Sequence, residues 1–247
     1  MEQTDNILPA WIKRQASLGA NVKVDGERTD ENFYWYLLTV CCPLIFESYA
    51  IVLHPYWVNQ KVKDLISSGL TIKENQVNEN DFERVSWTKF FELYGYYFNI
   101  KTANQTQEKI RLRILNGKAK ESNWPVYIWF PGEGNCESQE LKYIFSTLTD
   151  LYGDLTVNFY YCLLKTRKWD EDKIYKYRLS EFDKLATTEK LRDNPTAIFP
   201  DDKTWCIISD YDLTFTYVGG TKEFIGKLAI NKDFDIYEIE PMFKEKL

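Results

Sequence analysis

Apolar residues recur along this chain in two periods, one helical and one extended. Trp87, Phe90, Phe91 and Tyr94 stand at i, i+3, i+4 and i+7, with Ser86 ahead as a cap and Gly95 behind as a stop, so the spacing predicts a helix. Val58, Val62, Leu65 and Ile66, closed by Gly69, predict a second helix, and Leu141, Ile144, Phe145, Leu148 and Leu151 predict a third. A shorter helical pattern covers Ile110 to Leu115, and Ser180-x-x-Asp183 reads as a capping-box start. Denser apolar runs predict strands at 33–42 and 44–53, parted by Pro43, and at 126–130, 159–164, 174–177, 205–209 and 235–239. The segment 213–218 extends the pattern. It is followed by Gly219-Gly220, read as a turn, and a helix over 221–230 capped by Thr221. Together these elements predict an α+β fold, a mixed β-sheet flanked by amphipathic helices. The polar stretch 99–123 is where two lobes would join. It lacks the Pro- or Gly-rich character of a free linker, so residues 1–247 are read as a single domain with a surface excursion.

Composition adds a core and a charge to this picture. Hydrophobic residues make up 44% and charged residues 28% of the 247, which suits a folded domain. Aromatics reach 16%, enough to fill a core and to furnish binding faces as well. A net charge of −6 and a pI near 5.1 argue against nucleic-acid binding, which needs Lys and Arg against phosphates. The richest basic cluster, Lys165-Thr166-Arg167-Lys168, runs at once into Asp170, Glu171 and Asp172 and reads as a solvated loop. An acidic surface suits a basic protein partner, and equally suits solubility alone.

The chain begins without a signal-peptide layout, and its longest apolar run, Phe33 to Phe46, is too short to span a bilayer, so no membrane association is expected. The five cysteines are odd in number and show no Cys-x-x-Cys spacing, which predicts reduced thiols in the cytoplasm. No cofactor is implied.

Candidate chemistry gathers in four places. Asp210-x-Asp212-x-Thr214, after an apolar strand, resembles the first motif of the haloacid-dehalogenase phosphotransferases. That resemblance would make one Asp a nucleophile and Mg²⁺ ligand and the other a general acid/base. Only 33 residues follow Thr214, too few for the rest of that family's machinery, and Asp at a strand end also bonds local backbone. Gly219-Gly220-Thr221 before a helix could present N–H groups to an anion, with Trp205 and Tyr217 beside it; a plain turn and cap explains the same residues. His54 is the only histidine, so any triad or dyad must use it, unless it is a structural polar cap before Pro55. Cys136 precedes a helix and is the thiol to pair with it, while Glu133, in the turn Pro131-Gly132-Glu133-Gly134, is a further carboxylate.

Several segments together resemble a family of bacterial hypothetical proteins common in actinobacteria. They are Phe46-Glu47-Ser48-Tyr49-Ala50 through His54-Pro55, Val85-Ser86-Trp87, Pro131-Gly132-Glu133-Gly134, Phe199-Pro200-Asp201 through Trp205-Cys206, and Thr216-Tyr217-Val218-Gly219-Gly220. The resemblance runs from about residue 44 to 240. Ile51 stands where the family has Arg, Asn135 where it has Ser, and Ile198-Phe199 where it has a Trp pair. The family brings no established activity.

The function expected from these features is that of a noncatalytic protein-binding module, of the immunity-protein kind, with an acidic, aromatic-bearing face. Its rival is a small metal-assisted hydrolase or phosphotransferase using Asp210 and Asp212.

Overall fold

Tyr34, Leu37, Leu38 and Cys41 fall at i, i+3, i+4 and i+7 and are all buried, and the run that contains them is a helix, α1 (Phe33–Cys41), in place of the expected strand. Its aromatic and β-branched content favours a strand, but the spacing of the residues that must be buried is helical. The computed structural model describes residues 9, 11–12, 27–115, 124–162, 172–189, 191 and 193–242, so the Lys165–Lys168 cluster lies outside the described residues.

The chain divides into two compact units. The first takes its described residues from within 1–28, 34–54 and 132–247; the second takes 29–33 and 55–131. Of residues 99–123, read above as a lobe junction, the described ones, 99–115, lie inside the second unit. The chain passes between the units at Arg28–Thr29, Phe33–Tyr34, His54–Pro55 and Pro131–Gly132.

The first unit is built on a seven-stranded sheet. Its strands are β1 (Ser48–Leu53), β5 (Thr156–Tyr161), β6 (Lys173–Arg178), β7 (Ala197–Phe199), β8 (Cys206–Ile208), β9 (Phe215–Gly220) and β10 (Ile236–Ile239), in the order β10-β1-β9-β8-β7-β5-β6. The α+β class holds, and every ladder in this sheet is antiparallel. Alternation along the strands sends two sets of side chains to opposite faces. Ala50, Val52, Phe159, Ile207 and Val218 join Leu141, Ile144 and Leu148 of α5 (Ser138–Tyr152) and Phe224, Ile225 and Leu228 of α7 (Lys222–Ile230) in one core. On the other face Tyr217 donates its hydroxyl to Tyr34 O of α1 at 2.6 Å, and Phe215 meets the Tyr34 ring edge-on. A short helix, α6 (Phe182–Thr188), follows β6. Ser180, expected to cap it, instead donates its hydroxyl and its backbone N–H to Asp154.

The second unit carries a three-stranded antiparallel sheet, β2 (Tyr56–Val58), β3 (Glu83–Val85) and β4 (Ile128–Trp129), in the order β3-β2-β4. With it lie α2 (Gln60–Ser67), α3 (Trp87–Leu93) and α4 (Ala103–Ile114). Asn59 caps α2 and Ser86 caps α3. The Tyr56 ring stacks on Phe90 at 3.7 Å, and Trp87, Phe91 and Phe98 extend an aromatic core from there.

Candidate functional site

Four turns and strand ends of the first unit meet at one corner, and they carry most of the residues singled out above. His54, at the end of β1, donates its backbone N–H to Thr214 O at 3.0 Å. Its ring is fully buried, with Nδ1 2.5 Å from Gly132 O and Nε2 2.9 Å from Thr216 Oγ1. A carbonyl oxygen only accepts, so Nδ1 carries the proton. In the neutral imidazole Nε2 then accepts from the Thr216 hydroxyl. Thr216 Oγ1 lies 2.7 Å from Ser209 Oγ, so a chain of fixed direction results: Ser209 donates to Thr216, Thr216 to His54, and His54 to Gly132. His54 is the last residue of the first unit before residues 55–131, and Gly132 is the first after them, so this bond joins the two ends of that excursion within the first unit.

The neighbouring turns lock onto the same corner. Gly134 N donates to Leu213 O at 2.8 Å, and Gly134 has φ +66°, the left-handed region that favours glycine. A Cβ there would stand 2.6 Å from Tyr211 Cα, so only glycine lets these two turns touch. Asp210 and Asp212 are not on a strand, since β8 ends at Ile208. Asp210, 7% exposed, accepts the Asp212 N–H on its own carboxylate and the Leu213 N–H on its carbonyl, closing the turn from within. Asp212 and Glu133 are exposed on the two adjoining turns. Cys136 is buried in the core beneath, and its carbonyl accepts from the Asn194 side chain. The structure thus gathers His54, Glu133, Cys136, Asp210 and Asp212 into one region. Both histidine nitrogens and the Asp210 carboxylate are engaged in holding that region together. Among the described residues no three His, Cys, Asp or Glu side chains are grouped to hold a metal ion.

The proposed anion turn is corrected. Gly219 and Gly220 are the last residues of β9, buried and paired with Tyr49 and Ser48. Glycine is needed there because a Cβ on Gly219 would overlap the Phe46 ring, and one on Gly220 would come within 2.7 Å of Phe224. Thr221 does cap α7, accepting the Phe224 N–H at 3.2 Å. The backbone N–H of Lys222 at the same helix end is already taken by Glu47 Oε2 at 3.0 Å, so the chain supplies its own anion. Trp205 and Tyr217, read as binding residues, are both fully buried core residues. Sequence reading missed Thr216 and Glu47, which bond residues 162 and 175 positions away, and Ser209, whose hydroxyl joins Thr216 in the same hydrogen-bond chain. No helix of the described residues is long and apolar enough to cross a membrane.

The chain matches no known family model, and neither a curated protein nor a solved structure matches it.

Proposed function

We propose that this chain is a cytoplasmic, noncatalytic binding protein, of the immunity-protein kind, whose sheet unit offers an acidic surface to a basic protein partner. One observation carries the reading: the negative charge belongs to that unit. The stretches of chain that form it hold twenty Lys and Arg against twenty-seven Asp and Glu, whereas those of the second unit hold eleven against ten. Exposed carboxylates such as Asp150, Asp202, Glu223 and Glu238 stand on its helices, turns and edge strand. A field of one sign steers a partner of the other and suppresses wrong ones. Five buried cysteines, none of them in a disulfide, support a reducing compartment. Kinship with the actinobacterial family belongs to the same proposal. It is supported by four of the resembling segments lying together: β1 against β9, Cys206 against Gly219, and His54 against Gly132.

The test is co-purification of the tagged full-length chain from its own cells, followed by affinity measurements on the purified pair at rising salt. The expected partner is basic. Its binding should weaken as ionic strength rises beyond 0.15 M, where the Debye length is about 8 Å. It should also fall at least about tenfold for the chain carrying Asp150→Lys, Asp202→Lys, Glu223→Lys and Glu238→Lys, roughly 1.4 kcal/mol of binding. An acidic partner, or one indifferent to salt and charge reversal, contradicts the proposal.

The meeting of the Glu133 and Asp212 turns favours a second reading, metal-assisted hydrolysis or phosphoryl transfer at Asp210 and Asp212. A rise in melting temperature with Mg²⁺ or Mn²⁺ that Asp212→Asn abolishes decides for it, and an unchanged melting temperature decides against it.

A further inference from the structure

The second unit holds a recess of about 730 Å³. Its size lies within the range of about 300–1,000 Å³ usual for small-molecule sites. One wall is α4. This helix buries Ala103, Thr106 and Ile110 on one side and so turns a polar stripe to the recess, including Asn104, Gln105 and Gln107. The other wall is aromatic: Trp124 and Phe130, both half-buried, lie with ring centroids 5.5 Å apart and planes 26° from parallel. Tyr56 meets both rings edge-on and Phe90 meets Trp124, so the aromatic wall is braced from behind.

The charges of the lining cancel. Glu108 and Arg111 form a bidentate pair with both contacts at 2.7 Å, and Asp30 offsets Lys109. A phosphate or carboxylate ligand would need a surplus of Lys or Arg, and the described lining residues hold none. A wholly apolar ligand would strip water from the amides without replacing their hydrogen bonds. The amides themselves are placed for use. Gln107 Nε2 donates to Tyr56 OH at 2.7 Å, which fixes that side chain, while Asn104 and Gln105 make no side-chain hydrogen bond among the described residues. Each free amide offers a donor and an acceptor side by side, the complement of a hydroxyl that also does both.

We infer that this recess is a binding site for a neutral saccharide, with the C–H face of a sugar ring against Trp124 and Phe130 and its hydroxyls on Asn104, Gln105 and Asp30. The negative face of an aromatic ring attracts the slightly positive C–H groups of a sugar, and the amides set its orientation. The site lies wholly in the second unit and is independent of the acidic surface of the first.

Saturation-transfer difference NMR on the full-length chain tests this, with methyl β-glucoside, N-acetylglucosamine, maltose and cellobiose as probes and adenosine and AMP as controls. Each is present at roughly 10 mM, enough to populate a site with a Kd of about 1 mM. The expected result is transfer to the ring protons of at least one sugar, with affinity falling at least about tenfold in Trp124→Ala and in the double variant Asn104→Ala/Gln105→Ala. The double variant removes amides that make no hydrogen bond among the described residues, so it decides the matter if Trp124→Ala does not fold. No transfer to any sugar, transfer unchanged in the double variant, or transfer to adenosine or AMP alone overturns the inference.

Discussion

Burial sets the chemistry available to single side chains here. All five thiols are buried, and loss of solvation, helped by the charge of Asp210, pushes the Cys41 thiol up to about 12. Cys42 and Cys206 are likewise held well above the ordinary thiol range by burial. A thiolate is the reactive form, so at pH 8 the folded chain is expected to show no fast-reacting thiol toward a disulfide reagent and all five after denaturation. One fast thiol in the native chain, traced to Cys136, would revive thiol chemistry at the corner. At this scale the sequence shows that His54 and Asp210 are unusual but not what they do. The partners of His54 are 78 and 162 residues away, and no local spacing announces them. The Asp210 bond to Asp212 N–H is local, and for that reason the turn reading was available from sequence alone.

Elements were legible where period and caps agreed. α3 and α5 follow their apolar stripes, and Ser86, Gly95 and Gly153 stand where capping and a positive φ require them. Two readings failed for opposite reasons. The run 33–42 has strand-like composition but helical spacing of its buried positions, and Gly219-Gly220 has turn-like composition inside a strand. In β9 the missing Cβ atoms make room for Phe46 and Phe224, which are distant in sequence. Gly219→Ala is therefore expected to lower stability by roughly 1–3 kcal/mol through overpacking. Gly226→Ala, on α7 with open space around it, is expected to be neutral or stabilising by up to about 1 kcal/mol through helix propensity. Urea unfolding of both variants checks the contrast, and equal effects would mean that the Phe46 contact is not as described. The edge strands of the large sheet carry charge, β6 through Lys173, Lys176 and Arg178 and β10 through Glu238, which discourages pairing with other chains.

For the molecule as a whole, the α+β class could be read from the order of elements, but the division into two units could not. Two of the four crossings occur at proline, between His54 and Pro55 and between Pro131 and Gly132, with no linker composition to mark them. Acid should destabilise the first unit through carboxylates that the fold holds ionised. Hydrogen bonds from Asn158 and Lys176 keep the Asp201 carboxyl below its usual range, and Ser180 does the same for Asp154. With a lowered folded pKa, the native state binds fewer protons than the unfolded chain. This stability is present above the unfolded value of about 3.9 and is lost as pH falls through the folded one. Asp201→Asn should flatten that part of the stability curve between pH 4 and 2. At pH 7 it should cost less than about 1 kcal/mol, because the Asp201 side chain is 73% exposed. Denaturant unfolding across that range checks both statements, and an unchanged slope would contradict them.

His54 and Asp210, side chains that could serve catalysis, instead hold the turns and strand ends of the corner together. Because the chain has one histidine, ¹⁵N NMR of the imidazole in the full-length protein tests that role of His54 without ambiguity. The hydrogen bonds predict a ring proton on Nδ1, protected from exchange by the bond to Gly132 O, and a ring unaffected by Mg²⁺ or Mn²⁺. A rapidly exchanging ring, an Nε2-protonated tautomer or a shift on adding metal would contradict it.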